Sequence, residues 1–166
     1  ASWVFSRNPG LAPFGLVQSI VAVWIVLTAG IVFFGVTYTS PTVRRNRVWL
    51  FWGGLNVAAT VVNVGALVGV VPPAVERYAY WHPWLAAIGT GYLVTALYNW
   101  ESPQIRQQER VVYAVTGVAT LGLLAGSFGP LRAFVTLNIF AIGAAVHLVP
   151  IGHDVLADAV LIVRRQ

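Results

Sequence analysis

No cysteine, no methionine and no lysine occurs among the 166 residues of this chain. Without cysteine there is no disulfide, no thiolate nucleophile and no cysteine-ligated metal. Without lysine there is no Schiff base, no phosphate-loop lysine and no covalent attachment of retinal or pyridoxal phosphate. Charge is scarce too. Only 9% of the residues are charged and 58% are hydrophobic, with a mean hydropathy of +0.76. Soluble domains carry about 25% charged residues, so a water-soluble fold of this length would lack the polar surface to cover itself. The composition implies a multi-pass protein of the cell membrane.

What charge there is acts as fencing. Five stretches contain no charged side chain: between Arg7 and Arg44, Arg47 and Glu76, Arg77 and Glu101, Arg110 and Arg132, and Arg132 and Asp154. Each is long enough for the about 20 apolar helical residues that cross a bilayer core. The expected fold is a single all-α domain over 1–166, a bundle of five transmembrane helices. The spans are expected at about 14–38, 48–71, 84–100, 111–128 and 131–149, with a kinked or amphipathic helical extension over 153–165. All nine prolines fall at or outside these limits, which reads as punctuation. The first stretch is too long for a signal-peptide core and is expected to remain as a span.

The net charge of +5 comes from arginines at span ends, so it points to orientation and lipid headgroups rather than to nucleic acid. Arg44, Arg45, Arg47, Arg106 and Arg110, with Arg164 and Arg165, fall on one side, and Arg7, Arg77 and Arg132 on the other. Arginine-rich loops stay in the cytoplasm. The expected topology is therefore N-terminus outside and C-terminus inside. Trp3, Trp81 and Trp84 would then mark the outer interface, and Tyr38, Trp49, Trp52, Tyr98, Trp100 and Tyr113 the inner one. Trp24 falls mid-span, as a packing or lipid-facing residue. The alanine-, valine- and arginine-rich usage suggests a prokaryotic source.

Three constellations could carry function. Gly65/Gly69 and Gly122/Gly126 are G-x-x-x-G pairs, which let helices approach closely within one protomer or between subunits. The segments 65–73 and 122–130 are also similar in spacing, so spans two–three and four–five could be repeated hairpins. The second constellation is polar. Asn56, Thr60 and Asn63 share one face of span two, Tyr92, Thr95 and Asn99 one face of span three, and Asn138 sits in span five. They imply interhelical hydrogen bonds or a polar path for a small solute. The third is His147, in a span without carboxylates; Asp154 and Asp158 would join it on one face if the helix ran through Pro150. That set could relay protons or hold a metal near the cytoplasmic surface. Haem is not expected, because His82 falls on the outer side and His147 and His153 on the inner.

Arg77-Tyr78-Ala79-Tyr80-Trp81 resembles the R-Y-x-x-W run that opens the third helix of microbial rhodopsins. Asp154-Val155-Leu156-Ala157-Asp158 is similar to the D-V-x-A-K of that family's last helix. Asp158 stands where the retinal lysine is needed, however, and Tyr80 where a counter-ion carboxylate is usual. With too few residues for seven spans, the resemblance brings no retinal chemistry.

The spans hold no nucleophile–base pair, no carboxylate pair and no histidine cluster, so enzyme activity is not expected. The expected function is a non-enzymatic subunit of a homo-oligomer or larger membrane complex, with no cofactor. A small transporter or channel is one alternative, and a membrane metal or redox site near the cytoplasmic face is another.

Overall fold

Apolar helix-forming runs closed by glycine and proline dictate the architecture. In a computed structural model, described here for Gly10, residues 15–38, Pro41, and residues 45–98 and 107–164, the described residues are mainly helical, with no β-strand among them. The helices are α1 (Leu16–Tyr38), α2 (Arg47–Leu67), the single turn α3 (Pro73–Glu76), α4 (His82–Tyr98), α5 (Gln107–Gly126) and α6 (Arg132–Arg164). Three of them, α1, α2 and α5, are long and apolar enough to cross a membrane, and a bent pair within α6 makes a fourth if counted as one span. The expectation of an all-α fold holds, with three or four helices fit to cross a membrane among the described residues where five spans were expected.

The ends of α2 show how local sequence sets the limits. Asn46 caps its start, the side-chain oxygen accepting from the Val48 N–H at 2.8 Å. Its other end comes earlier than expected. Val68 is the C-cap and Gly69 adopts φ +75°, a left-handed conformation that glycine reaches without a Cβ clash. The Val70 N–H returns to Gly65 O at 2.8 Å and the Gly69 N–H to Ala66 O at 3.2 Å. This paired closure caps the orphan carbonyls of the last turn. Gly69 is thus the helix terminator and lies outside α2. Gly126, its counterpart in the suggested repeat, ends α5 without a positive φ. The two connections differ as well: residues 68–81 contain a helical turn, whereas 127–131 form a short link.

Pro150 does not end α6. The helix runs through it to Arg164, and the proline side chain is among the most fully buried. The bend lies ten residues upstream instead, where Arg132–Ile139 and Ala141–His153 meet at 65°. In the turn before that break the Asn138 amide donates to Phe134 O at 3.0 Å.

The chain divides into two units, Ala1–Ala87 and Ile88–Gln166. In the first, α1 packs along α2, with Val21, Ala59 and Ala66 buried. In the second, α4, α5 and α6 supply Ala96, Thr116, Thr120, Val135 and Ile139 to the interior.

Candidate functional site

Within the first unit the polar stripe of α2 splits by position. The Asn56 amide donates to Trp52 O and the Thr60 hydroxyl to Asn56 O, both at 2.8 Å and both four residues back along their own helix. Asn63 lies one turn from the end of α2 and reaches across instead. Its amide nitrogen donates to the carbonyls of Ala79 and, at 2.9 Å, Tyr80, and its oxygen accepts the Trp84 indole N–H at 2.7 Å. The residue is 1% exposed. A buried amide with both donors and its acceptor engaged fixes a unique geometry, because any loss strands several polar groups at once. Trp84 carries the contact onward: its ring is buried and stacks on Trp24 at 4.7 Å. Trp84, expected at the outer interface, is therefore an interior residue held by Asn63, and the mid-helix Trp24 is its packing partner.

Between α3 and α4, next to this clamp in the chain, aromatic side chains make a set of pairwise contacts. The Tyr80 hydroxyl donates to the Glu76 carboxylate at 2.8 Å. Desolvation, reinforced by that hydrogen bond and the carboxylate charge, raises the Tyr80 phenol above its ordinary value. The Arg77 guanidinium lies over the Tyr78 ring at 4.7 Å, and the buried His82 imidazole stacks on Trp81 at 3.6 Å with Tyr78 edge-on at 5.0 Å. The run 77–81 is turn and bend rather than helix, unlike the helical segment it resembles in microbial rhodopsins.

Within the second unit three helices bring rings together. Tyr92 of α4 stacks near-parallel with Tyr113 of α5 at 5.9 Å and with His147 of α6 at 5.6 Å. Tyr92 and His147, expected to act in different constellations, are thus neighbours. Other hydroxyls turn back on their helices: Thr95 donates to Gly91 O at 2.8 Å and Thr120 to Thr116 O at 2.7 Å. Asn138 does the same at the bend. Asn99 and the side chains of Asp154 and Asp158 lie outside the described residues. Among the described residues no three His, Asp or Glu side chains gather in a way that could hold a metal.

Among the described glycines, a close backbone approach falls on two that the G-x-x-x-G pattern misses. A Cβ on Gly117 would lie 2.9 Å from Gly89 O and 2.8 Å from Leu93 Cγ, and a Cβ on Gly89 would lie 3.2 Å from Gly117 O. The backbones of α4 and α5 touch there. Gly122 has nothing within 4 Å of such a Cβ, and Gly65 and Gly126 meet only ordinary contacts at 3.6 and 3.8 Å. The available sequence signal was Gly117 between Thr116 and Thr120, both buried, on the polar face of α5.

Chemically, the first cluster is a buried hydrogen-bonded clamp and the second a half-buried stack of aromatic rings. No protein-family model, no curated protein and no solved structure matches the chain.

Proposed function

We propose that this chain is a non-enzymatic, five-span protein of the cell membrane, N-terminus outside and C-terminus cytoplasmic. In this reading it packs as a subunit of a homo-oligomer or larger membrane complex. The five spans are α1, α2, α4, α5 and the bent α6. At 17 residues, α4 is at the short end of the roughly 17–25 that cross a bilayer.

The observation that carries the subunit reading is where the polar side chains spend their hydrogen bonds. Asn56, Thr60, Thr95, Thr120 and Asn138 return to carbonyls of their own helices, and Asn63 serves a buried clamp. A solute path needs such groups turned together toward a shared opening, so the local bonding favours structure over transport. What is left outward is apolar and small. Gly54, Val57, Ala58 and Val61 are exposed on α2, and Val115, Val118, Gly122 and Ala125 on α5. Smooth faces of this kind associate in lipid through close packing.

Native mass spectrometry of protein released from nanodiscs tests the reading. A homo-oligomer or a co-purifying membrane partner is expected. A lone monomer at every protein-to-lipid ratio would overturn it. Gly122→Leu should shift the assembly toward monomer with little effect on the fold, because a Cβ there meets nothing within 4 Å among the described residues.

A further inference from the structure

Helix lengths raise a question about how α4 reaches the outer surface. With 21 residues, α2 covers about 32 Å at its helical rise, enough for a hydrocarbon core of about 30 Å. With 17 residues, α4 covers only about 26 Å. At the end where α4 begins, Asn63 sits four residues before the end of α2 at Leu67 and there meets the carbonyls of Ala79 and Tyr80. The chain entering α4 therefore passes roughly 6 Å below the end of α2 while still non-helical.

Irregular backbone is tolerated at such depth only if its polar groups are satisfied by protein. Here the carbonyls of Ala79, Tyr80 and Trp81 have donors, and the Tyr78 and Ala79 N–H groups bond to Val75 O and Glu76 O. Asn63 serves Ala79 and Tyr80, and the Leu85 N–H serves Trp81 at 3.1 Å. The side chains around this backbone are amphipathic: Tyr78, Tyr80 and Trp81 are half-buried, and Arg77 is exposed while its guanidinium rests on the Tyr78 ring. Tyrosine and tryptophan favour the headgroup level, and arginine pairs with phosphate there.

We propose that Arg77–Trp81 is a membrane-seated collar: its backbone lies at the outer headgroup–hydrocarbon boundary, its aromatic rings lie among the headgroups, and Arg77 binds a phospholipid phosphate. The collar brings the chain into α4 below the end of α2, and Asn63 makes its irregular backbone compatible with that depth. This rests on the five-span reading above.

The absence of cysteine makes the test direct, since one introduced cysteine takes one nitroxide label. Tyr78→Cys, with Trp81→Cys as a second reporter should the first fail to fold, is labelled in vesicles of phosphatidylcholine and phosphatidylglycerol. Its collisions with oxygen and with a water-soluble nickel chelate then report depth. The label is expected at headgroup depth, shielded from the chelate; collision as free as that of a nitroxide in bulk water overturns the collar. Adding Arg77→Gln should shift the seated-to-lifted equilibrium outward by about fivefold, the effect expected of one arginine at an anionic surface; no shift removes the phosphate contact. Inorganic phosphate should leave the depth unchanged, and a response to it would assign a soluble anion instead of lipid. Release of the unlabelled chain by alkaline carbonate would sink the membrane reading itself, whereas retention with a water-exposed label sinks only the collar.

Discussion

Replacing Asn63 by leucine should be among the most damaging single changes in this chain. The substitution keeps a side chain of similar length but strands three buried groups: the carbonyls of Ala79 and Tyr80 and the indole N–H of Trp84. Each unsatisfied buried group costs about 1–3 kcal/mol by measurements in soluble proteins. In bilayers the reference state finds other partners, and a hydrogen bond averages nearer 0.6 kcal/mol. Three groups thus give about 2 kcal/mol on the bilayer scale and at least about 3 kcal/mol on the soluble one. The 1% exposure of Asn63 leaves little room for water to repair the loss, so the expected cost is about 2–5 kcal/mol. Unfolding in bicelles, followed by tryptophan fluorescence, measures it. Trp84→Phe removes one of the three bonds and keeps a ring against Trp24, so it should cost less. In the double variant the shared bond is counted once, so the two costs should sum to more than the measured total. An Asn63→Leu cost below about 0.5 kcal/mol, the ordinary range of surface substitutions, would refute the clamp as a stabilising element.

The glycines make a paired prediction in the same assay. Gly117→Ala should destabilise by about 1–3 kcal/mol, the usual cost of overpacking, because its Cβ would meet the immovable Gly89 carbonyl at 2.9 Å. Gly122→Ala meets nothing within 4 Å and should be neutral or slightly stabilising. Gly69→Ala forces a left-handed residue at φ +75° and should cost about 1–2 kcal/mol. The Tyr80 phenol, raised above its ordinary 10.0 by desolvation and Glu76, binds its proton more tightly folded than unfolded. The stability it contributes is therefore complete below the ordinary value and lost as pH rises through the raised one. Tyr80→Phe should abolish that part of the alkaline loss, and phenolate absorbance should show one late-titrating tyrosine fewer. His147→Ala should leave the metal content of the purified protein unchanged by elemental analysis, and disappearance of a stoichiometric metal would support the metal reading instead.

Several features were legible in residue order because they are local. The Pro72-Pro73 and Gly129-Pro130 breaks, the apolar runs behind α1, α2 and α5, and the polar face of α2 all follow from backbone chemistry and helical period. The end of α2 was misjudged by a few residues, since a glycine four places after another reads equally as a packing pair or as a terminator. Only the left-handed φ at Gly69 distinguishes them. Pro150 was misjudged for a similar reason. The sequence carries the missing N–H and the ring clash, but the burial that accommodates a proline within a helix depends on its neighbours in space.

The sequence by itself determined the all-helical class and runs apolar enough to cross a membrane, because composition and charge spacing decide whether a chain can cover itself in water and where helices can run. It also excluded thiol and lysine chemistry outright. Tertiary structure alone decided what the polar residues do. Asn56, Thr60 and Asn63 are equivalent on a helical wheel, yet two bond to their own helix and the third holds a loop and an indole. Tyr92, Tyr113 and His147 are separated by 20 or more positions and share no sequence period, but they stack. A hydrogen bond or ring contact depends on distances of a few ångströms between elements, and one-dimensional order does not contain them.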